Sequence, residues 1–314
     1  MSIIKLNPAC KSYLWGGQKL KADYHKHFDG DILAETWELS CHPDGPSTVA
    51  DGPYAGKTLP EYLQAVPAAA GINCARFRDF PVLIKLIDAK RDLSIQVHPD
   101  NAYALKNEGQ FGKTEMWYVV DCDPGAFLYY GFQKEITKEE FRTRIQNGTL
   151  TEVLNAASVK PGSVFFIESG TIHAIGKGIV IAEIQQNSNI TYRVFDYNRL
   201  GTDGKPRQLH VQKALDVTRL TPPRTDYDFG GHLGCCDSFV TDLLKLNGST
   251  LTARTDGSTF HSLLVTKGEG SVTCGNETVT FQQGDSLFLP ADSGVYSVTG
   301  HCEIIRTTVP PATE

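Results

Sequence analysis

Short runs that are either apolar throughout or alternate apolar and polar residues with a period of two recur along this chain, separated by turn residues. The runs fall at residues 82–88, 93–98, 116–121, 126–130, 163–167, 179–184 and 191–195, and again at 239–246, 263–266, 272–274, 279–281 and 286–289. Turn signals such as Asp123-Pro124-Gly125, Lys160-Pro161-Gly162 and Gln282-Gln283-Gly284-Asp285 punctuate them, which predicts an all-β-dominated fold of the barrel or sandwich kind. Helical periods are fewer. Thr137-Lys138-Glu139-Glu140 has the form of a capping box and opens a predicted helix through about Gln146, and residues 58–66 and 208–217 are shorter candidates. Residues 219–228, rich in Thr, Pro, Asp and Arg, read as a linker, so the pattern predicts two domains, 1–225 and 226–314.

The two blocks share one spacing. Gly162, Glu168, Gly170 and His173 run in parallel with Gly284, Pro290, Asp292 and Val295, each set opening on a turn glycine before an apolar strand, which points to an internal duplication. With 40% hydrophobic and 21% charged residues, the 314-residue chain has the composition of a globular protein. No segment approaches the roughly 18 apolar residues of a membrane helix and the first ten residues lack a signal-type apolar run, so a cytoplasmic protein without a membrane partner is expected. Thirty basic against 36 acidic residues leave a net charge of −6 with no basic block, which argues against nucleic acid as a partner. Any anionic ligand must therefore find a local basic pocket. The eight cysteines are scattered without a CxxC pair and read as reduced structural thiols, Cys235 and Cys236 lying on opposite strand faces.

Within residues 93–98 the alternation puts Leu93, Ile95 and Val97 on one face and Ser94, Gln96 and His98 on the other. An amide oxygen and an imidazole about 7 Å apart on one strand face can converge on a single ion. Glu115, flanked by Met116 and Trp117, is costly to bury unless a cation or hydrogen bonds compensate it. His173 sits between two strands in a turn whose glycines, Gly170 and Gly176, let the ring point inward. Together Gln96, His98, Glu115 and His173 offer nitrogen and oxygen ligands without sulfur, a set suited to zinc with an open position and compatible with manganese, iron or cobalt. The remaining histidines form no such set.

Four segments carry a family resemblance: LSIQVHPD at 93–100, GKTEMW at 112–117, GTIHAI at 170–175 and EIQQNSNITYRVFDY at 183–197. They resemble the signature segments of type I mannose-6-phosphate isomerases in their compact two-cupin form. The resemblance implies two cupin-type jelly-roll β-barrels with short decorating helices, a catalytic first domain and a degenerate second one. It implies one zinc ion per chain on Gln96, His98, Glu115 and His173, and a phosphorylated sugar as the small-molecule partner. The reaction implied is the interconversion of mannose 6-phosphate and fructose 6-phosphate through a cis-enediol.

The strand pattern at 190–195 lets Arg193 point inward with Thr191 and Phe195 while Ile190, Tyr192 and Val194 pack outside, and an inward arginine needs an anion. The resemblance makes Arg193 a catalytic arginine near the reacting end of the sugar or its phosphate. Lys113, on the Glu115 face and matching the family motif, adds a second positive group for catalysis and substrate binding. Glu183, in an otherwise apolar strand, is the leading candidate for the proton carrier, or else a partner of Arg193. Ser94 offers a hydroxyl to the substrate, and Trp15 matches the family's N-terminal Trp-Gly segment as a packing residue. Asn189 stands where longer members often carry aspartate, and their helical insertion is absent here, which predicts a more open pocket. In the second block Val295 replaces His173 and His261 stands where Glu115 would align. The rival readings are a metal-dependent cupin isomerase for another sugar or sugar phosphate, and a non-enzymatic sugar-binding cupin.

Overall fold

The computed structural model describes residues 2–201 and 204–312. Strands dominate it, and its helices are short, Lys138–Asn147 being ten residues long. In the first block a six-stranded sheet runs in the order Val164–Ile167, Glu115–Cys122, Ile179–Gln186, Val82–Ala89, Glu35–Leu39, Ala9–Lys11. A five-stranded sheet runs in the order Tyr192–Phe195, Ile95–Val97, His173–Ala174, Phe127–Phe132, Leu154–Ser158. Their facing sides share one apolar cluster, in which Ile87, Trp117, Val119 and Ile181 of the first meet Leu128, Tyr130 and Ile175 of the second. Val82–Ala89 is buried along its whole length because its other face, through Val82, Ile84 and Leu86, belongs to the core shared with the second block. The outer face of the five-stranded sheet is covered in turn. Ile95, Val97, Tyr192 and Val194 pack against Phe141, Ile145, Ala214 and Leu215 of the helices Lys138–Asn147 and Val211–Val217.

Two closed cupin barrels were the expectation. Among the described residues, strand pairing instead gives three sheets that do not close on themselves, because the first block is joined across its middle by side-chain packing rather than by hydrogen bonds around its rim. The third sheet has eight strands and is built mainly from residues 234–308. It also takes in Ile4–Asn7, paired Ile4↔Phe288 to Leu6↔Ser286, and through it Thr48–Val49. The N-terminal strand thus crosses the sequence boundary at residue 225 and ties the blocks together.

The long strands of this sheet carry the breaks that the alternation pattern placed between short ones. Phe239–Thr255 and His261–Cys274 continue through register shifts at Asn247/Thr250 and Val265/Lys267. Gly248 (φ +76°) supplies the left-handed backbone of the first bulge, and Gly268 (φ +79°) follows the second. The duplicated motif has matching geometry. Gly162 and Gly284 sit at φ +89° and +92°, and Gly170 and Asp292 at +86° and +59°.

Thr137 caps its helix as the sequence predicts, and Thr58 caps another, each accepting from the backbone N–H three residues on. The helix predicted from Gln208 starts only at Val211, with His210 outside the helical conformation (φ −111°, ψ 50°) and its N–H bonded to the Arg193 carbonyl at 2.7 Å. Several elements escaped the pattern, the strands Ile4–Asn7, Leu154–Ser158 and Gly294–Thr308 among them, and two bear on the site. Asn101–Asn107 is a helix whose Asp100 cap follows the proline of the predicted metal strand. Glu35–Leu39 is a fully buried strand disguised by two glutamates. One of them, Glu38, has no exposure and is paired with Lys26 at 2.7 Å, accepts from Thr36 Oγ1 at 2.6 Å, and Lys26 also donates to the Gly284 carbonyl of the second block at 2.5 Å.

Removing one partner of such a pair strands a buried charge. Lys26→Met is expected to lower the stability measured by urea unfolding by about 3–5 kcal/mol, with part of it regained in the double variant Lys26→Met, Glu38→Leu. In the second block, burial first and the Arg306 charge second depress the His261 imidazole from its ordinary 6.5 to about 4. Its ring is buried against Tyr296, with Nδ1 2.8 Å from the phenol oxygen. Folded His261 stays neutral while the unfolded chain takes up a proton below about 6.5, so stability is present above that pH and is lost as pH falls toward 4. The loss expected is about 3 kcal/mol, and His261→Gln flattens the melting-temperature profile across that interval.

Candidate active site

Three loops that the alternation pattern leaves separate are bolted together at the cleft floor. The Lys113 N–H donates to the Pro99 carbonyl at 3.0 Å and the Gly170 N–H to the His98 carbonyl at 2.8 Å. A Cβ on Gly112 would stand 2.4–2.6 Å from the backbone of residues 99–101, so only glycine lets these segments touch. Pairing then places His173 opposite Gln96 and Gln96 opposite Arg193 on the five-stranded sheet. On the facing sheet Glu183 lies between Trp117 and Lys85, and Lys85 opposite Trp37.

Between the two rows His98, Glu115 and His173, all buried, bring three potential ligand atoms within 4.8 Å of one another. His98 Nε2 stands 2.7 Å and His173 Nε2 3.5 Å from Glu115 Oε1. Each imidazole presents Nδ1 to a backbone carbonyl, of Ile190 at 2.7 Å and of Thr171 at 2.8 Å, which fixes the proton there and leaves Nε2 a lone pair. Burial first, with the Lys113 charge, holds both rings below the usual histidine range, His98 well below it. His98 Nε2 and Glu115 Oε1 are buried with no hydrogen bond, two acceptors facing one another. Burial of this kind is costly without a cation, and neutral imidazoles beside a carboxylate suit a divalent metal. Gln96 places its amide nitrogen 3.5 Å from His173 Nε2, and a half-turn of the amide brings its oxygen there instead.

Behind this cluster the charges alternate. Trp117 Nε1 donates at 3.0 Å to both Glu115 Oε2 and Glu183 Oε2. Lys113 Nζ lies 3.7 Å from Glu115 and 3.8 Å from Glu183, while Lys85 Nζ lies 3.1 Å from Glu183 and 3.6 Å from Glu35. Burial works to raise the Glu115 carboxyl, but Lys113, Glu183, His173 and the indole outweigh it and set it at about 2. Glu183 moves the other way, raised by burial and by the Glu115 charge against the two lysines.

Glu35, Lys85, Lys113 and Glu183 line a cleft of about 290 Å³ together with Ser94, Gln96, Arg193, Leu93 and Trp15. Leu93 departs from the face of Ile95 and Val97, because the regular strand begins only at Ile95. Arg193 does not meet Glu183. Its Nη1 donates to the Gln208 carbonyl at 3.0 Å, and its Nε is buried without a hydrogen bond. Asn189 lines the cleft and donates to Asp44 at 3.0 Å.

The model of the phosphomannose isomerase type I catalytic domain matches residues 3–118, and that of the mannose-6-phosphate isomerase cupin domain matches residues 232–309. The mannose-6-phosphate isomerase ManA of Bacillus subtilis is 37% identical over 308 residues, covering 95% of this chain and 96% of that protein. This chain belongs to the type I mannose-6-phosphate isomerase family. The crystal structure of the mannose 6-phosphate isomerase from Bacillus subtilis has 35% identity and a TM-score of 0.89, covering 98% of this chain and 99% of that one. A mannose 6-phosphate isomerase solved with zinc and yttrium shares the fold at 16% identity and a TM-score of 0.75, covering 98% and 99% of the two chains. As a member of this family the chain is an isomerase.

Lys85 and Glu35 were not among the sequence candidates of this isomerase. A Lys inside the run Val82–Ala89 carried the signal, since a lysine in a fully apolar strand requires a buried counter-charge. The indole of Trp117 is the donor shared by both carboxylates. Trp117→Phe is expected to cost about 1–3 kcal/mol in urea unfolding, as two buried acceptors lose their partner.

Proposed function

We propose that this isomerase interconverts mannose 6-phosphate and fructose 6-phosphate through a cis-enediol, with one zinc ion held by Gln96, His98, Glu115 and His173. The observation that carries the reading is the pair of unpartnered buried acceptors, His98 Nε2 and Glu115 Oε1, next to Lys113, which lines a cleft edged by cations. Other divalent metals fit the same donors, and a structural relative was solved with zinc. When bound, the metal would supply a Lewis acid that polarises the sugar carbonyl.

The chain's own residues do the rest. Glu183, whose raised proton affinity suits a base and whose Oε1 has no hydrogen bond, takes the proton from one sugar carbon and returns it to the next. Lys85 at 3.1 Å and Lys113 at 3.8 Å keep that carboxylate in place and lend positive potential to the oxygens where charge develops. Arg193 extends the positive field along the cleft, and Ser94 offers its hydroxyl to the sugar. Residues 1–225 form the catalytic unit and 226–314 a cupin unit without the ligands, Val295 being exposed where His173 is buried. A cytoplasmic setting agrees with eight cysteines that are all free thiols.

Metal analysis alongside a coupled assay of fructose 6-phosphate formation, before and after chelation, tests this. About one divalent ion per chain is expected, with turnover abolished by chelation and restored by metal, and both His98→Ala and His173→Ala losing metal and activity. Turnover that survives complete metal removal refutes the reading. Equal turnover of free mannose and mannose 6-phosphate assigns the site to another sugar instead.

A further inference from the structure

The two ends of the cleft have opposite charge requirements. At one end Lys85, Lys113, Glu35 and Glu183 line it with Glu115 buried behind Lys113, and two ammonium groups against three carboxylates call for a cation. At the rim the imbalance is reversed. Asp196, buried, is gripped by two arginines: Arg207 Nε meets Oδ2 and Nη2 meets Oδ1, both at 2.6 Å, and Arg199 Nη2 meets Oδ1 at 2.5 Å. Arg193 brings a third guanidinium into the same field, and its like-charged neighbours Arg207 and Arg199, after burial, depress its proton affinity. Among the described residues, three guanidinium groups face one carboxylate here, a half-buried positive excess. Arg193 and Arg207 both line the cleft, and the grip on Asp196 occupies only two of the five donors of Arg207.

We propose that Arg207, oriented by Asp196 with Arg199 as its second anchor, binds the phosphate monoester of the substrate together with Arg193. Asp196 and Arg199 are positioning residues in this arrangement. A fork held side-on by a buried carboxylate presents its remaining N–H groups in a fixed plane, the geometry in which guanidinium recognises phosphate. The inference rests on the sugar-phosphate isomerase reading and deepens it by assigning the phosphate end.

The test compares Arg207→Gln and Arg207→Lys with the unmodified, metal-loaded enzyme. KM and kcat are measured for mannose 6-phosphate, and calorimetry measures binding of glucitol 6-phosphate, glucitol and inorganic phosphate. Arg207→Gln is expected to raise KM and the Kd of glucitol 6-phosphate about tenfold or more, with kcat within threefold and glucitol binding unchanged. Arg207→Lys, which keeps the charge without the fork, falls between the two. Unchanged KM and Kd, a loss confined to kcat, equal weakening for glucitol, or inorganic phosphate binding as tightly as glucitol 6-phosphate each overturn it. If Arg207→Gln does not fold, Arg207→Lys decides, and an unaltered KM in that variant overturns the assignment. Calorimetry needs no turnover, so an unmodified enzyme inactive on mannose 6-phosphate refutes the isomerase reading while the Arg207 binding comparison still judges the phosphate site.

Discussion

A carboxylate with no exposed surface, Glu115, sets the terms for everything around it. Moving such a group out of water costs several kcal/mol unless charge and hydrogen bonds replace its hydration. Lys113, two residues earlier, and the Trp117 indole, two residues later, supply part of that replacement from the same strand and its entry loop. The remainder comes from the facing sheet, where two imidazoles point unprotonated nitrogens at its free oxygen. That oxygen lacks a hydrogen bond, so the site is electrostatically incomplete in the protein alone and poised for a cation.

The same constraint spreads across the sheet. Because Glu115 shares a donor with Glu183, a second buried carboxylate must be neutralised, and Lys85 does this with Glu35 beyond it. Charges held in fixed order on adjacent strands cannot relax as they would on a loop, which is the condition for preorganised electrostatics. The row is costly in stability. The cores on either side, one shared with the second block and one under the helices, offset that cost.

The second block repeats the turn geometry of the first without its chemistry. Gly284 and Asp292 adopt the same left-handed conformations as Gly162 and Gly170, yet the place of His173 is an exposed valine and His261 is spent on Tyr296. What it contributes is support. It takes up the N-terminal strand and receives Lys26 on the Gly284 carbonyl, both of which brace the buried strand Glu35–Leu39 from behind.

The sequence pattern by itself determined the β character and most strands of the first block, and it pointed to His98, Glu115 and His173, which the fold brings together, because short apolar runs and a polar residue within one are local properties. It could not place Glu35–Leu39, whose glutamates find lysines 12 and 50 residues away in sequence only once the sheet has formed. Nor could it see that Gly248 and Gly268 bend continuous strands rather than end them, since bulge and turn share the same residue preferences. The Arg193–Asp196–Arg207 rim is legible as charges but not as a pocket. That Arg193 and Arg207 line the cleft while Arg199 and Arg207 hold the carboxylate depends on how a loop folds back across the sheet edge, and only the tertiary structure decides that.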